Sequence, residues 1–147
     1  MELTTREIKE EDIEDILEIE EEAFTTPWSE EAFKSEIKNN LAHYLVVEID
    51  GRIVGYGGVW LIIDEAHITN IAVLQEYKGK GIGNKILMGL IKYSTKLGIK
   101  NMTLEVRESN FVARRLYEKH GFVSYGIRPK YYIDDNEDAI IMWRVND

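Results

Sequence analysis

The sequence predicts an α/β (α+β) fold of seven strands and four helices, and three observations carry that prediction. Short runs in which apolar residues alternate are interleaved with segments in which they recur every three to four residues. An Asp50-Gly51 pair joins two strand-length runs as a tight hairpin. A glycine-rich stretch, Lys78-Gly79-Lys80-Gly81-Ile82-Gly83-Asn84, leaves one strand and opens an amphipathic helix.

In chain order, residues 3–8 read as a strand and 12–24 as a helix with Ile13, Ile16, Leu17, Ala23 and Phe24 on one face. Ser29 caps a second helix, whose first turn holds Glu30 and Glu31 at the positive end of the helix dipole. Residues 41–49 and 52–63 form the hairpin, and 67–74 the next strand. The glycine-led helix covers about 81–97 and stops at Gly98. A strand at 102–107, a helix from Asn110 to His120 stopped by Gly121, and closing strands at 122–128 and 137–145 complete the chain. No repeat, linker or low-complexity segment divides it, so one domain over 1–147 is expected.

Composition narrows the function. The chain has no cysteine, which excludes disulfides, cysteine metal sites and a cysteine acyl-enzyme. His43, His67 and His120 are dispersed with no i,i+4 pair, so no metal is expected. The acidic N-terminus lacks a basic, apolar leader, and no run is apolar enough to span a membrane; a cytoplasmic monomer is the expected state. Residues 1–50 carry 16 acidic and 4 basic side chains, and 51–147 carry 11 and 14. An acidic first half suits a cationic acceptor, a basic second half a polyanionic cofactor, and the net charge of −9 makes nucleic acid a poor partner. A charged face kept for solubility accounts for many of the same residues.

The glycine-rich turn is suited to a phosphate. Glycines let the backbone approach a bulky anion, and the free amides of a helix start attract negative charge. The spacing Gly-x-Gly-x-Gly matches neither a P-loop nor the Gly-x-Gly-x-x-Gly of dinucleotide folds and kinases. Packing alone also produces such turns. Lys78-x-x-Gly81-x-Gly83 resembles the acyl-CoA loop of the GNAT superfamily of N-acetyltransferases, with lysine where arginine or glutamine is usual.

The resemblance extends over nearly the whole chain. Thr26-Pro27-Trp28-Ser29, Asn70-Ile71-Ala72-Val73, Leu104-Glu105-Val106-Arg107-x-x-Asn110, Leu116-Tyr117-x-x-x-Gly121-Phe122, Lys130-Tyr131-Tyr132 and Glu137-Asp138-Ala139-Ile140-Ile141-Met142 are similar in order and spacing to the ribosomal-protein-alanine (RimI) type within that superfamily. It implies the GNAT fold, a mixed, mostly antiparallel seven-stranded central sheet flanked by about four helices. It also implies acetyl-CoA lying between strands 67–74 and 102–107, with main-chain groups of Ile71, Ala72 and Val73 along its pantetheine arm. The pyrophosphate would rest on amides of Gly79, Lys80, Gly81, Ile82, Gly83 and Asn84, with Lys78 and Lys80 adding charge and Asn110 reaching the cofactor.

The same resemblance makes Glu105 the general base and Tyr117 the proton donor to the departing thiolate, and sets Trp28, Tyr131 and Tyr132 beside the acceptor. The acceptor it implies is a protein N-terminus, that of ribosomal protein S18. Read without it, Glu105 is a polar-face glutamate able to pair with Arg107, and Tyr117 shares a helix face with Ala113, Leu116 and His120 as a packed aromatic. Asn110 is a good N-cap, Trp28 a core anchor, and Tyr131 and Tyr132 part of an acidic hairpin. A free glutamate near pKa 4.3 is a weak base, so burial would have to raise Glu105 for efficient transfer. The alternatives are acetyl transfer to lysines, polyamines or a metabolite amine, or a non-catalytic CoA-binding module.

Overall fold

The computed structural model describes residues 2–146. Its elements are β1 (Leu3–Glu7), α1 (Ile13–Ala23), α2 (Glu30–Ile37), β2 (Ala42–Ile49), β3 (Arg52–Ile62), β4 (Glu65–Val73), α3 (Ile82–Lys96), β5 (Asn101–Arg107), α4 (Phe111–Lys119), β6 (Val123–Tyr132) and β7 (Glu137–Val145). The seven strands form one sheet in the order β1-β2-β3-β4-β5-β7-β6. Every neighbouring pair is antiparallel except β4 and β5. This is the mixed, mostly antiparallel sheet expected.

Local chemistry sets the boundaries. Asp50 and Gly51 take φ of 50° and 80°, the paired left-handed conformation of a two-residue hairpin turn. Ser29 accepts the Ala32 amide at 3.1 Å and so starts α2. α1 begins later than periodicity suggested, after a 3-10 turn over Glu10–Asp12. There the Asp12 carboxylate turns back to accept the Lys9 amide and both Arg6 amino groups, each at 2.8 Å. β6 runs to Tyr132 rather than ending at residue 128, because Pro129 stands on the outermost strand, where a missing donor costs little. Its register with β7 shifts between Arg128 and Tyr132, and Lys130 has φ of 53°.

Helices cover both faces. α1 and α2 lie on one, where Phe33 meets Tyr56 edge-on at 5.8 Å between ring centroids. α3 lies on the other, drawn close by glycines in β3: a Cβ at Gly57 would stand 2.5 Å from Ile86 Cγ2. α4 packs beside α3 through Leu116 over Gly83 and a 2.6 Å contact between His120 Nε2 and Asn84 Oδ1.

The sheet is splayed between β4 and β5. They pair only from Glu65 to His67 against Asn101 to Thr103. Beyond His67, β4 keeps β3 alone and β5 keeps β7 alone. A bulge causes the parting: Gly58 pairs with Asn70 and Val59 with Ile68, leaving Thr69 as an extra residue that bends β4 away.

Candidate active site

At the mouth of the splay, a 3-10 turn over Gln75–Tyr77 leads into an extended Lys78 and then Gly79 at φ 80°. Gly81, at φ 79°, is the N-cap of α3. A glycine there supplies the left-handed bend and no capping side chain, so the first-turn amides of Ile82, Gly83 and Asn84 have no side-chain acceptor. No acidic residue stands in that turn, Lys78 and Lys80 are exposed, and the positions a Cβ would take on Gly79 and Gly81 open into empty space. These features fit a diphosphate. The edge of β4 from Asn70 to Val73 that faces the gap has no strand partner and fits an extended chain with amide groups. Asn110 caps α4, its Oδ1 accepting the Ala113 amide at 3.2 Å.

Within the gap, Glu105 does not pair with Arg107. Its Oε1 lies 3.0 Å from His67 Nε2 and accepts the Tyr131 hydroxyl at 3.4 Å. Its pKa is not raised. The His67 hydrogen bond outweighs burial, and together with Arg128 and Tyr131 it holds the carboxyl below its ordinary value. Arg107 instead binds Asp134 and Asp135, both at 2.8–2.9 Å, and Glu137 at 3.3 Å, and stacks on Tyr132 at 4.1 Å. The shifted register of β6 thus aims the two tyrosines, 5.1 Å apart between ring centroids, at Glu105 and at its arginine neighbour.

Tyr117 lies on α4, the helix beside α3. Its ring is buried edge-on to Phe122, at 5.8 Å, and burial pushes its phenol up to about 12. The hydroxyl makes no hydrogen bond among the described residues, and it is not sealed from solvent. Burial pushes the Tyr132 phenol up.

Trp28 is 36% exposed and tilts over Phe33 at 5.2 Å. Its amide donates to Glu20 Oε1 at 3.0 Å. Sequence reading had passed over Glu20, which is only 1% exposed. Its other oxygen accepts the Tyr56 hydroxyl, and Tyr56 accepts the Asn70 amide group at 3.1 Å, on the unpaired stretch of β4. Burial and the Glu20 charge push the Tyr56 phenol up. A second carboxylate, Glu36, accepts the Tyr44 hydroxyl and the Trp60 ring N–H, each at 2.7 Å. The available signal for Glu20 was its place at i+4 from Ile16 and i+7 from Ile13, inside the apolar stripe. His67 gave no local signal; its contact arises from the parallel register of strands 38 residues apart.

No cluster of three or more His, Cys, Asp or Glu side chains that could hold a metal occurs among the described residues. No helix among them is long and apolar enough to cross a membrane.

The splayed sheet with an uncapped glycine turn at its mouth is the frame of an acyl-CoA-dependent transferase. Residues 13–122 match the Acetyltransferase (GNAT) family, and the chain belongs to that family of N-acetyltransferases, which draw on acetyl-CoA. A Bacillus subtilis (strain 168) protein provisionally named [ribosomal protein bS18]-alanine N-acetyltransferase is 43% identical over 139 residues, 94% of this chain and 92% of that one. The [ribosomal protein bS18]-alanine N-acetyltransferase of Escherichia coli (strain K12) is 38% identical over 126 residues, 84% of each chain. The crystal structure of the Escherichia coli ribosomal-protein-S18-alanine N-acetyltransferase superposes with a TM-score of 0.91 at 34% identity, over 99% of this chain and 95% of that one.

Proposed function

We propose that the protein acetylates the α-amine of a protein N-terminus, that of ribosomal protein S18, by direct transfer within a ternary complex. The observation that carries this reading is the free edge of β4 with an uncapped helix start at its end and the Glu105 carboxylate on β5, the strand across the splay. The names of the relatives at 38–43% identity support the acceptor.

Bound acetyl-CoA supplies the thioester carbonyl that the amine attacks. The first-turn amides of α3, with Lys78 and Lys80, hold the diphosphate, and the free edge of Ile71, Ala72 and Val73 aligns the arm behind it. An α-amine with a pKa of about 7.7–8.0 is roughly one-seventh neutral at pH 7, whereas a lysine near 10.4 is neutral only a few times in ten thousand. The protein therefore gains from choosing an N-terminus. Glu105 stays ionised and accepts the proton as the nitrogen takes on positive charge in forming its new bond, so a low proton affinity is tolerable. Complete transfer from a phenol near 12 to a thiolate near 8.5 would be uphill by about 5 kcal/mol. Tyr117 accordingly acts by a hydrogen bond from its hydroxyl that strengthens as charge grows on sulfur. Trp28, Tyr131 and Tyr132 wall the approach of the acceptor.

The test is mass spectrometry with acetyl-CoA and three acceptors: an Ala-starting basic peptide, its N-blocked lysine-containing analogue, and spermidine. Acetyl groups are expected on the free N-terminus. Faster modification of the blocked peptide or of spermidine would reassign the acceptor, and CoA release with none of them would remove the reading.

A further inference from the structure

His67 occupies the last position at which β4 pairs with β5, at the apex of the splay. Its side chain is 31% exposed and that of Glu105 is 10% exposed, so their 3.0 Å contact joins solvent to the interior carboxylate. His67 and Tyr131 both engage Oε1. Among the described residues, Oε2 has no hydrogen-bond partner and is left for an amine. We propose that His67 is a positioning residue for acetyl transfer: it pins Glu105 through Oε1 and so turns Oε2 toward the acceptor. The inference rests on the assignment of Glu105 as base.

In the step itself the acceptor nitrogen bonds the acyl carbon and gives its proton to Glu105 Oε2, while the carbon–sulfur bond breaks and CoA leaves as a thiolate that accepts a hydrogen bond from the Tyr117 hydroxyl. The acid so formed returns that proton to water, while His67 keeps its Nε2 proton as donor to Oε1.

The experiment measures kcat between pH 5.5 and 9 with saturating acetyl-CoA and an Ala-starting peptide, for the wild type, H67Q, H67A and E105Q. H67A is expected to lose on the order of 10-fold at every pH without a change in KM for acetyl-CoA. H67Q keeps a donor to Oε1 and is expected to recover most of that loss. A loss in H67Q as large as in H67A would overturn the proposal, as would unchanged rates in both His67 variants when E105Q is inactive. An active E105Q would instead remove the underlying assignment of the base.

Discussion

Asp12 is almost wholly buried yet ionised. Burial pushes its pKa up, but the two Arg6 hydrogen bonds and the Lys9 amide pull it further down, so it ends below its ordinary value. A depressed carboxylate contributes stability that is fully present above the unfolded pKa, about 3.9, and is lost as pH falls through the folded value. Asp12→Asn should therefore cost about 2 kcal/mol in urea unfolding at pH 7. The gap between variant and wild type should narrow as the pH drops toward 2; a gap of constant size would mean that the carboxylate charge is not what Arg6 recognises. Tyr117 presents the opposite case, an acid kept neutral. With its phenol at about 12, it is protonated throughout any practical assay range. Tyr117→Phe should lower kcat by about 10²-fold and leave KM for acetyl-CoA nearly unchanged, and the defect should be equal at pH 7 and pH 9. A defect that disappeared at pH 9 would show that Tyr117 acts by ionising.

Among the elements, β4 does the most to make a site, and it does so by an irregularity. Thr69 and Asn70 both face α1 and α2, where Thr69 donates to the Tyr44 hydroxyl at 3.4 Å and Asn70 to that of Tyr56. Deleting Thr69 would then remove the bulge without turning the rest of β4 over. Pairing with β5 should extend past His67, and calorimetry should detect no acetyl-CoA binding by a variant that still folds; retained affinity would mean that the gap does not depend on the bulge. The turn before β4 holds strain with no evident use. Ile63 is 95% exposed and has φ of 57°, a conformation that costs a β-branched residue 1 kcal/mol or more, by an estimate of about 1–2. Ile63→Asn should raise Tm by a few degrees, roughly 1 kcal/mol, with unchanged kcat. Both features explain what could be read in advance. Hairpin, caps and the Gly81 turn were legible because each is a local demand on backbone conformation that particular residues satisfy. The Thr69 bulge, the His67–Glu105 contact and the extension of β6 beyond Pro129 depend on register between distant strands, which leaves no periodic trace in either one. Glu20 was lost for another reason: within the run Glu20-Glu21-Glu22 nothing but helical phase separates the buried carboxylate from its two exposed neighbours.

The whole molecule is polarised across its sheet. Residues 13–37, which hold α1 and α2 on one face, carry nine acidic side chains and one basic. The turn and α3, residues 78–96, carry five lysines and no acid. Most of these charges are exposed, so individual pairs stabilise little, but their sum sets the direction from which each substrate is drawn. The acidic layer attracts a basic N-terminal segment, and the lysine layer attracts a diphosphate. Attraction over such distances is screened strongly by salt, with a Debye length of about 10 Å at 0.1 M and about 3 Å at 1 M. Raising ionic strength from roughly 0.05 to 0.5 M should therefore reduce kcat/KM for an Ala-starting peptide with several arginines by about 10-fold, mainly through KM, and should scarcely affect a peptide with neutral residues after the first. Replacing Glu14, Glu21 and Glu31 by glutamine, all exposed and remote from Glu105 in sequence, should flatten the salt dependence for the basic peptide while leaving kcat as it was. Equal salt sensitivity for both peptides would mean that the acidic layer serves solubility alone, and that the acceptor is chosen entirely by contacts within the gap.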